Sequence, residues 1–212
     1  MTPRNAERLI VAGPAGDIEG VVDAPAATPL RGLALVCHPH PLQGGTLDNK
    51  VVHTLAKTFH AMGYVAIRFN FRGVGGSAGS FDQGIGETDD ALAVLRHVRG
   101  RFGEALPVAL AGFSFGSFVQ TRVIEHVDAQ GLVLVGPAVN RFGHRKVPPD
   151  TIVVHGEEDD VVPLADVFDW ARPQQLPIIV FPGCGHFFHG RLPQLAHVVT
   201  AMWPSDSPDA PT

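Results

Sequence analysis

The sequence predicts a single α/β domain built on a mostly parallel, twisted β-sheet with helices on both faces. Three observations support this fold class. Strand-like segments alternate with helical segments along most of the 212 residues. The strand-like segments in the middle of the chain are continuously apolar, which is typical of strands covered on both faces. No internal repeat or convincing linker interrupts the alternation, so we expect one domain over residues 1–204 and a flexible, proline-rich tail at 205–212.

The N-terminal half begins with two short strands on either side of Gly13-Pro14-Ala15-Gly16. Glycine and proline between two strands indicate a hairpin, and we expect its loop to exceed the two-residue minimum. A buried strand then leads into residues 38–45, whose prolines and glycines predict a loop. The next helix is indicated by apolar residues at helical spacing and by the stop signal Gly63. The predicted elements are strands at 8–12, 17–23, 32–37 and 64–69 and a helix at 48–62.

Helices and strands continue to alternate in the C-terminal half. Residues 70–86 are rich in glycine and serine and predict a loop. The amphipathic helix that follows carries acids in its first turn, where they suit the helix dipole. Residues 137–149 form a connection between two strands. The predicted elements are strands at 108–111, 131–135, 151–154 and 177–181 and helices at 87–99, 117–128, 164–171 and 192–202.

Composition and charge exclude several classes of protein. Hydrophobic residues make up 45% of the chain and charged residues 17%, as in a globular rather than a disordered protein. The net charge of −5 argues against a nucleic acid partner, and no apolar run is long enough to span a membrane. The N-terminus lacks the apolar core of a signal peptide, and two cysteines are too few for a disulfide framework, so we expect reduced thiols and a cytoplasmic location. The sequence does not indicate an oligomeric state.

The segment Gly112-Phe113-Ser114-Phe115-Gly116 stands between a predicted strand and a predicted helix. A serine at such a sharp turn projects from the carboxyl end of the sheet. The glycines two residues before and after it avoid collisions with the neighbouring strand and helix. The start of the helix also points backbone N–H groups towards the space beside the hydroxyl. The pattern therefore predicts Ser114 as a nucleophile.

A serine nucleophile needs a base, and the base needs an acid that orients it. The chain order Ser114, Asp159, His186 is the order expected when each residue follows a different strand of a hydrolase sheet. Asp159 ends a His-Gly-x-x-Asp spacing and precedes two valines that can anchor its loop. Asp160 is the alternative acid, or a cap for the following helix, and we expect the two preceding glutamates to face solvent.

The predicted base, His186, lies between a flexible Gly-Cys-Gly segment and the bulky pair Phe187 and Phe188. Its ring can therefore reach the serine while the aromatic side chains exclude water. His189 is the alternative base, and we expect it at the surface. We expect the other histidines at the surface or on helices, and a structural role for His155 at the end of a strand.

Acyl transfer also needs two N–H donors that hold an oxyanion. One is expected from Phe115, the residue after the nucleophile. The other is expected from the loop after the third strand, where Pro39 and Pro41 have no N–H. This leaves His40 as the favoured donor and Leu42 as the alternative.

These motifs resemble those of the α/β-hydrolase superfamily over nearly the whole chain. The likeness is greatest to small, lidless bacterial predicted serine hydrolases, which have a His-Pro-His-Pro-x-x-Gly-Gly loop and a Gly-Phe-Ser-Phe-Gly elbow. Residues 72–77, Arg-Gly-Val-Gly-Gly-Ser, match a further loop of that superfamily. Dienelactone hydrolases and carboxylesterases are also similar, although the former carry cysteine where this chain has Ser114. The resemblance implies a hydrolase fold and a Ser-His-Asp triad, but no particular substrate.

The connection between two late strands bears on the substrate. Only thirteen residues, 138–150, stand where larger hydrolases insert a helical lid, so we expect an open site. Within them Arg141, His144, Arg145 and Lys146 suggest the hypothesis that an anionic substrate tail, such as that of an acyl-CoA, binds there. A solvated surface loop is the alternative interpretation.

We expect no cofactor and no metal. The glycine-rich residues 73–78 continue as loop instead of opening a helix, which disfavours nicotinamide binding. The alternation of histidine and proline at residues 38–41 makes shared metal ligation awkward, and no cysteine pair supports it.

These observations predict a lidless serine hydrolase that cleaves a carboxylic ester or thioester of a small molecule through an acyl-enzyme. The alternatives are an acyltransferase or acyl-CoA thioesterase with the same triad, and a non-catalytic binding protein on the same fold. Epoxide hydrolases and dehalogenases of this fold carry aspartate at the elbow, so Ser114 argues against both.

Overall fold

A computed structural model describes residues 6–26 and 28–204 of the chain, and the predicted tail at 205–212 lies outside them. The strands are β1 (Ala6–Gly13), β2 (Gly16–Asp23), β3 (Gly32–Cys37), β4 (Tyr64–Phe69), β5 (Val108–Phe113), β6 (Gly131–Val135), β7 (Ile152–Gly156) and β8 (Ile178–Phe181). The helices are α1 (Lys50–Ala61), α2 (Ile85–Phe102), α3 (Phe115–Val123), α4 (Leu164–Ala171) and α5 (Leu192–Met202).

All eight strands belong to one sheet in the order β1-β2-β4-β3-β5-β6-β7-β8. The pairs β1–β2 and β2–β4 are antiparallel, and the other pairs are parallel. The predicted fold class, a mostly parallel sheet in an α/β domain, is therefore confirmed. Because β3 lies between β4 and β5, the connection from β3 to β4 and the connection from β4 to β5 run in opposite directions along the sheet. Ligands of such sheets bind outside the carboxyl ends of the strands at this reversal.

Helices cover both faces of the sheet because the central strands are apolar on both sides. Every residue of β3, β4 and β5 is buried. Leu33 and Leu35 of β3 share one hydrophobic core with residues of α2 and α3, whereas Ala34 and Val36 share the opposite core with residues of α1 and α5. This alternation follows from the two-residue period of a strand, and it holds the carboxyl edge of the sheet rigidly between two helical layers.

Several element boundaries differ from the sequence prediction. The first hairpin is closed by only two residues, because Gly13 pairs with Gly16, so the expectation of a longer loop was wrong. The loop at residues 38–45 contains a short 3₁₀ turn, Pro41–Gln43. Helix α2 extends beyond both predicted ends, whereas α3 begins directly after Ser114 and passes into a 3₁₀ turn, Ile124–His126.

The long loop between β4 and α2 is held in place by an ion pair. Arg72 donates from Nε and Nη2 to the two carboxylate oxygens of Asp90, both at 2.8 Å. The Asp90 side chain is 1% exposed, and that of Arg72 is 11% exposed. The carboxylate of Glu87 accepts the N–H groups of Asp82 and Gly84, which fixes the chain where it enters α2. These contacts give the glycine-rich loop a defined course.

The connection between β6 and β7 contains no helix or strand, as the sequence predicted. Its residue Phe142 packs against Phe115 and Phe118 of α3, with ring centroids 5.0 and 5.1 Å apart. The connection therefore lies beside the elbow and does not form a separate cap. None of the helices within residues 6–26 and 28–204 is both long and apolar enough to cross a membrane.

We predict that Asp90→Ala lowers the free energy of unfolding by about 3 kcal/mol, because it leaves the Arg72 guanidinium buried without its carboxylate. Urea denaturation measures this change. Asp89→Ala is the matched control, since Asp89 is the exposed neighbour on the same helix, and it should change stability by less than about 0.5 kcal/mol. Equal effects of the two substitutions would contradict the structural role of the pair.

Candidate active site

The serine elbow is formed by an unusual backbone conformation at Ser114. Its φ of 55° and ψ of −116° are sterically costly for a residue with a side chain. The flanking glycines make the turn possible. A β-carbon at Gly112 would lie 2.4 Å from the Gly116 carbonyl oxygen, and one at Gly116 would lie 2.3 Å from the Cys37 carbonyl oxygen. The elbow therefore packs directly against the end of β3.

The structure brings the predicted nucleophile, base and acid together. The Ser114 Oγ lies 3.1 Å from His186 Nε2, and His186 Nδ1 lies 2.6 Å from Asp159 Oδ2. With a proton on Nδ1, the imidazole donates to the carboxylate and accepts the serine hydroxyl proton. Asp160 and His189, the alternative acid and base, are both exposed. Of these candidates, the structure brings Ser114, His186 and Asp159 into one hydrogen-bonded arrangement.

Asp159 is held by its own loop as well as by the histidine. Its Oδ1 accepts the N–H groups of Val161 and Val162 at 2.9 and 2.8 Å. Burial opposes ionisation of this carboxyl, but the hydrogen bonds from His186 and Val162 outweigh it and hold its pKa below the usual value. The carboxylate is therefore fixed and ionised. Asp160 does not cap α4, whose first turn has no side-chain cap, so that alternative was wrong.

His155 is fully buried beneath this loop. Its Nε2 donates to the Val162 carbonyl at 2.9 Å and lies 3.4 Å from Asp159 Oδ2. The ring thus ties the loop that carries Asp159 to the end of β7. This placement agrees with the structural role that the sequence suggested for it.

Two backbone N–H groups near Ser114 are available to a ligand. The N–H of Phe115 is at the first position of α3, where a helix offers no intrahelical acceptor. The N–H of His40 has no hydrogen-bond partner within the described residues. The His40 and Phe115 rings are 5.2 Å apart. The N–H of Leu42 donates to His40 Nδ1 at 3.2 Å, so the alternative donor is already engaged.

His38 was missed by the sequence analysis, which expected it at the surface or on a helix; it is fully buried. Its Nδ1 donates to the Pro39 carbonyl at 2.6 Å, and its Nε2 accepts the N–H of Phe71 at 2.9 Å. The Pro39 carbonyl and the His40 N–H belong to the same trans peptide unit and point in opposite directions. His38 therefore sets the direction of the His40 N–H. The available signal was its position directly after a continuously apolar strand.

Aromatic rings line the site on two sides. Phe81 contacts both His40 and Phe115, with ring centroids at 4.8 and 5.5 Å. Phe187 meets the His186 ring edge-on at 5.2 Å and is 46% exposed. Phe188 is fully buried against Phe181, so the expectation that it would help to exclude water from the base was wrong. The aromatic rings that contact the imidazole are therefore Phe187 and Phe113, the latter at 5.0 Å.

Within the described residues, no three histidine, cysteine, aspartate or glutamate side chains are arranged to hold a metal ion. His38 and His155 are near the site, but each is committed to a backbone carbonyl. The site consists of a serine hydroxyl, an oriented imidazole, a carboxylate and two free amides. Such an arrangement can deprotonate an alcohol and hold a developing negative charge beside it.

Comparison with known proteins identifies close relatives of this arrangement. A family profile described as serine aminopeptidase, S33, matches residues 28–141. A crystal structure of a lidless α/β serine hydrolase from Xanthomonas campestris superposes with a TM-score of 0.87 at 35% identity, covering 98% of this chain and 99% of that one. An uncharacterised protein of Rickettsia prowazekii is 34% identical over 88% of this chain and 84% of its own length.

A lysophosphatidylserine lipase of Xenopus tropicalis is 31% identical over 136 residues. The matched region is 63% of this chain but only 29% of the lipase. This chain therefore spans less than a third of that relative.

We predict that His38→Phe reduces the pH dependence of stability. Burial lowers the pKa of His38 to about 4. Between about pH 6.5 and pH 4, His38 is therefore protonated in the unfolded chain but stays neutral in the folded chain. Wild-type stability should therefore fall as the pH falls from about 6.5 to 4. The variant should be less stable at neutral pH, because two hydrogen bonds are lost. Between about pH 7 and pH 4.5, the free energy of unfolding of His38→Phe should fall by about 2 kcal/mol less than that of the wild type.

Urea unfolding at several pH values measures this difference. His189→Phe is the control, because His189 is exposed and its substitution should leave the slope unchanged. Parallel pH profiles for the wild type and His38→Phe would show that His38 is not held neutral.

Proposed function

Because the chain belongs to the α/β serine hydrolases without a lid, we propose that it cleaves an ester or thioester bond of a small molecule through a covalent acyl-enzyme. The observation that carries this proposal is the unbroken hydrogen-bond chain from Asp159 through His186 to Ser114. Three residues far apart in sequence meet at the carboxyl edge of the sheet with the geometry of a nucleophile, a base and an orienting acid.

In the proposed reaction the Ser114 Oγ attacks the acyl carbonyl, and His186 Nε2 takes the hydroxyl proton. Asp159 stabilises the imidazolium that forms and keeps the Nδ1 proton in place. The imidazolium then returns its proton to the departing alcohol or thiol, which leaves an acyl-serine. Water, deprotonated by the same imidazole, attacks the acyl-serine and releases the acid.

The negative charge of each tetrahedral intermediate is proposed to rest on the N–H groups of Phe115 and His40. The first is at the start of α3, where the helix dipole also favours negative charge. The second is held by the peptide unit that His38 orients. Donors fixed before the reaction need no reorganisation during it, which is why such sites accelerate acyl transfer.

An ester or thioester fits this site better than a peptide with a free amino terminus, although the matching family profile is named for aminopeptidases. Arg141 is adjacent in sequence to Phe142, whose ring lies 5.7 Å from the His40 ring. Burial and, to a smaller extent, the positive charge of Arg141 lower the pKa of the His40 imidazole. A cation there repels a substrate ammonium group. One relative is a lipase, which also supports an ester.

Hydrolysis is favoured over acyl transfer because no lid lies over the site within the described residues. The connection between β6 and β7 carries no lid helix, and Phe187 is half-exposed beside the base. An acyltransferase must keep water from its acyl-serine.

We also propose a cytoplasmic location, since Cys37 and Cys184 are both free thiols.

We predict that Ser114→Ala abolishes both ester hydrolysis and labelling by a fluorophosphonate probe. Asp159→Asn should lower kcat for p-nitrophenyl butyrate by about 10³- to 10⁴-fold, because the amide favours the wrong imidazole tautomer. Asp160→Asn is the matched control. Asp160 is adjacent and exposed, so the control should retain kcat within about twofold. A larger loss of kcat in Asp160→Asn than in Asp159→Asn would show that Asp159 is not the orienting acid.

We predict that His40→Pro lowers kcat by about 10²- to 10³-fold, because it deletes one oxyanion donor. Proline fits the backbone here, since His40 has a φ of −54°. His40→Ala keeps the N–H and removes only the ring, so it should retain far more activity. If the two variants lose activity equally, the ring matters and the amide of His40 is not the donor.

A further inference from the structure

A surface next to the proposed active site is rich in positively charged side chains. Arg141, Arg145 and Lys146 belong to the connection between β6 and β7, and all three are exposed. Arg122 of α3 faces the same surface, where a cleft of about 460 Å³ lies between the connection and the helix. The acid that lines this cleft is Glu125, 3.4 Å from Arg145. The cations therefore outnumber the acid on this surface.

The cationic surface is continuous with the active site. Phe142 lies next to Arg141 in sequence, and its ring is 5.7 Å from the His40 ring and 5.0 Å from the Phe115 ring. Phe118, which stacks on Phe142, contacts the His144 ring at 5.6 Å on the side of the cleft. One row of aromatic contacts thus leads from the proposed oxyanion donors to the cleft.

His144, one of the residues that line the cleft, has a buried ring nitrogen without a partner among the described residues. His144 Nδ1 lies 3.1 Å from the Phe142 carbonyl oxygen, so the ring proton belongs on Nδ1. His144 Nε2 is buried and has no hydrogen-bond partner among the described residues. A buried acceptor of this kind is costly unless a ligand fills it.

The distance between the elbow and the cationic cleft restricts which ligands can contact both. Arg122 follows Phe115 by seven residues on α3, which is about 10 Å along a helix. A phosphate directly beside the ester cannot bridge this separation. A phosphate at the end of a flexible linear arm can do so.

We propose that this cleft binds the phosphate of a leaving group whose flexible arm ends at the thioester or ester bond, as in phosphopantetheine thioesters. The inference rests on the proposed function and adds a substrate class to it. The acyl group lies against the aromatic rings at Ser114, the arm follows Phe142 and Phe118, and the phosphate meets Arg145, Lys146 and Arg122.

The test compares thioesters that differ only in phosphate: butyryl-pantetheine, butyryl-phosphopantetheine and butyryl-CoA. The wild type should prefer the phosphorylated substrates in kcat/KM by about tenfold at low salt, and added salt should reduce this preference. The double variant Arg145→Glu, Lys146→Glu should remove most of the preference. The double variant Lys57→Glu, Arg96→Glu is the charge-matched control, because both residues are exposed on other helices, and it should leave the preference unchanged. A wild-type preference near one, or an equal loss in the control, would overturn the proposal.

Binding separates this inference from the proposed function. Phosphopantetheine should bind the Ser114→Ala protein about tenfold more tightly than pantetheine in calorimetry, and the double variant should bind both alike. If no ester or thioester is hydrolysed but this difference persists, the proposed hydrolase activity fails and the phosphate site stands. If butyryl-pantetheine is hydrolysed and the difference is absent, only the phosphate site fails. An equal gain for butyryl-glycerophosphate, whose phosphate is close to the ester, would overturn the requirement for a long arm.

Discussion

The site depends on one close approach between two backbones. Gly116, in the first turn of α3, packs against the Cys37 carbonyl at the end of β3, where no β-carbon could fit. This contact draws the loop after β3 over the start of the helix, and so brings the free amides of His40 and Phe115 to the same side of Ser114. The unfavourable backbone angles of Ser114 persist because the sheet on one side and the helix on the other leave the turn no alternative.

Neutral, buried histidines extend this constraint outwards. His38 accepts the N–H of Phe71 and so fixes the loop after β3. His155 donates to the Val162 carbonyl and so fixes the loop after β7. Burial lowers the pKa of both rings, so each keeps one donor nitrogen and one acceptor nitrogen at neutral pH. A protonated ring would present two donors, and His38 could no longer accept the Phe71 N–H. The proposed catalytic imidazole, His186, differs in that its two nitrogens face a carboxylate and a hydroxyl.

The sequence was sufficient for the fold and for the residues that meet at the elbow, and for definite reasons. Continuous apolar runs predicted the central strands, and the rule that parallel strands share a carboxyl edge predicted which loops converge. The His-Gly-x-x-Asp spacing favoured Asp159 over Asp160, and the two valines after it supply the N–H groups that hold the carboxylate.

What the sequence could not give depends on partners that only the folded chain provides. The buried position of His38 depends on the Phe71 N–H, which reaches its ring only after β3 and β4 pair. The early start of α3 was missed because Gly-Phe-Ser-Phe-Gly has weak helix propensity, and packing against β3 overrides that preference. Phe187 and Phe188 were treated alike, but a positive φ at Phe188 turns its ring into the core.

The absence of a lid has a consequence for specificity. A lidded hydrolase can select its substrate by enclosing it, whereas an open site must rely on contacts along one side of the ligand. In this chain those contacts are rigid, because Phe142 is packed on Phe115 and Phe118 of a buried helix. Aromatic rings contact acyl groups through nonpolar interactions, which discriminate little between one acyl group and another. The proposed phosphate contact, about 10 Å along α3 from the elbow, would distinguish leaving groups without covering the serine. An open site is therefore compatible with selection of the substrate by its leaving group.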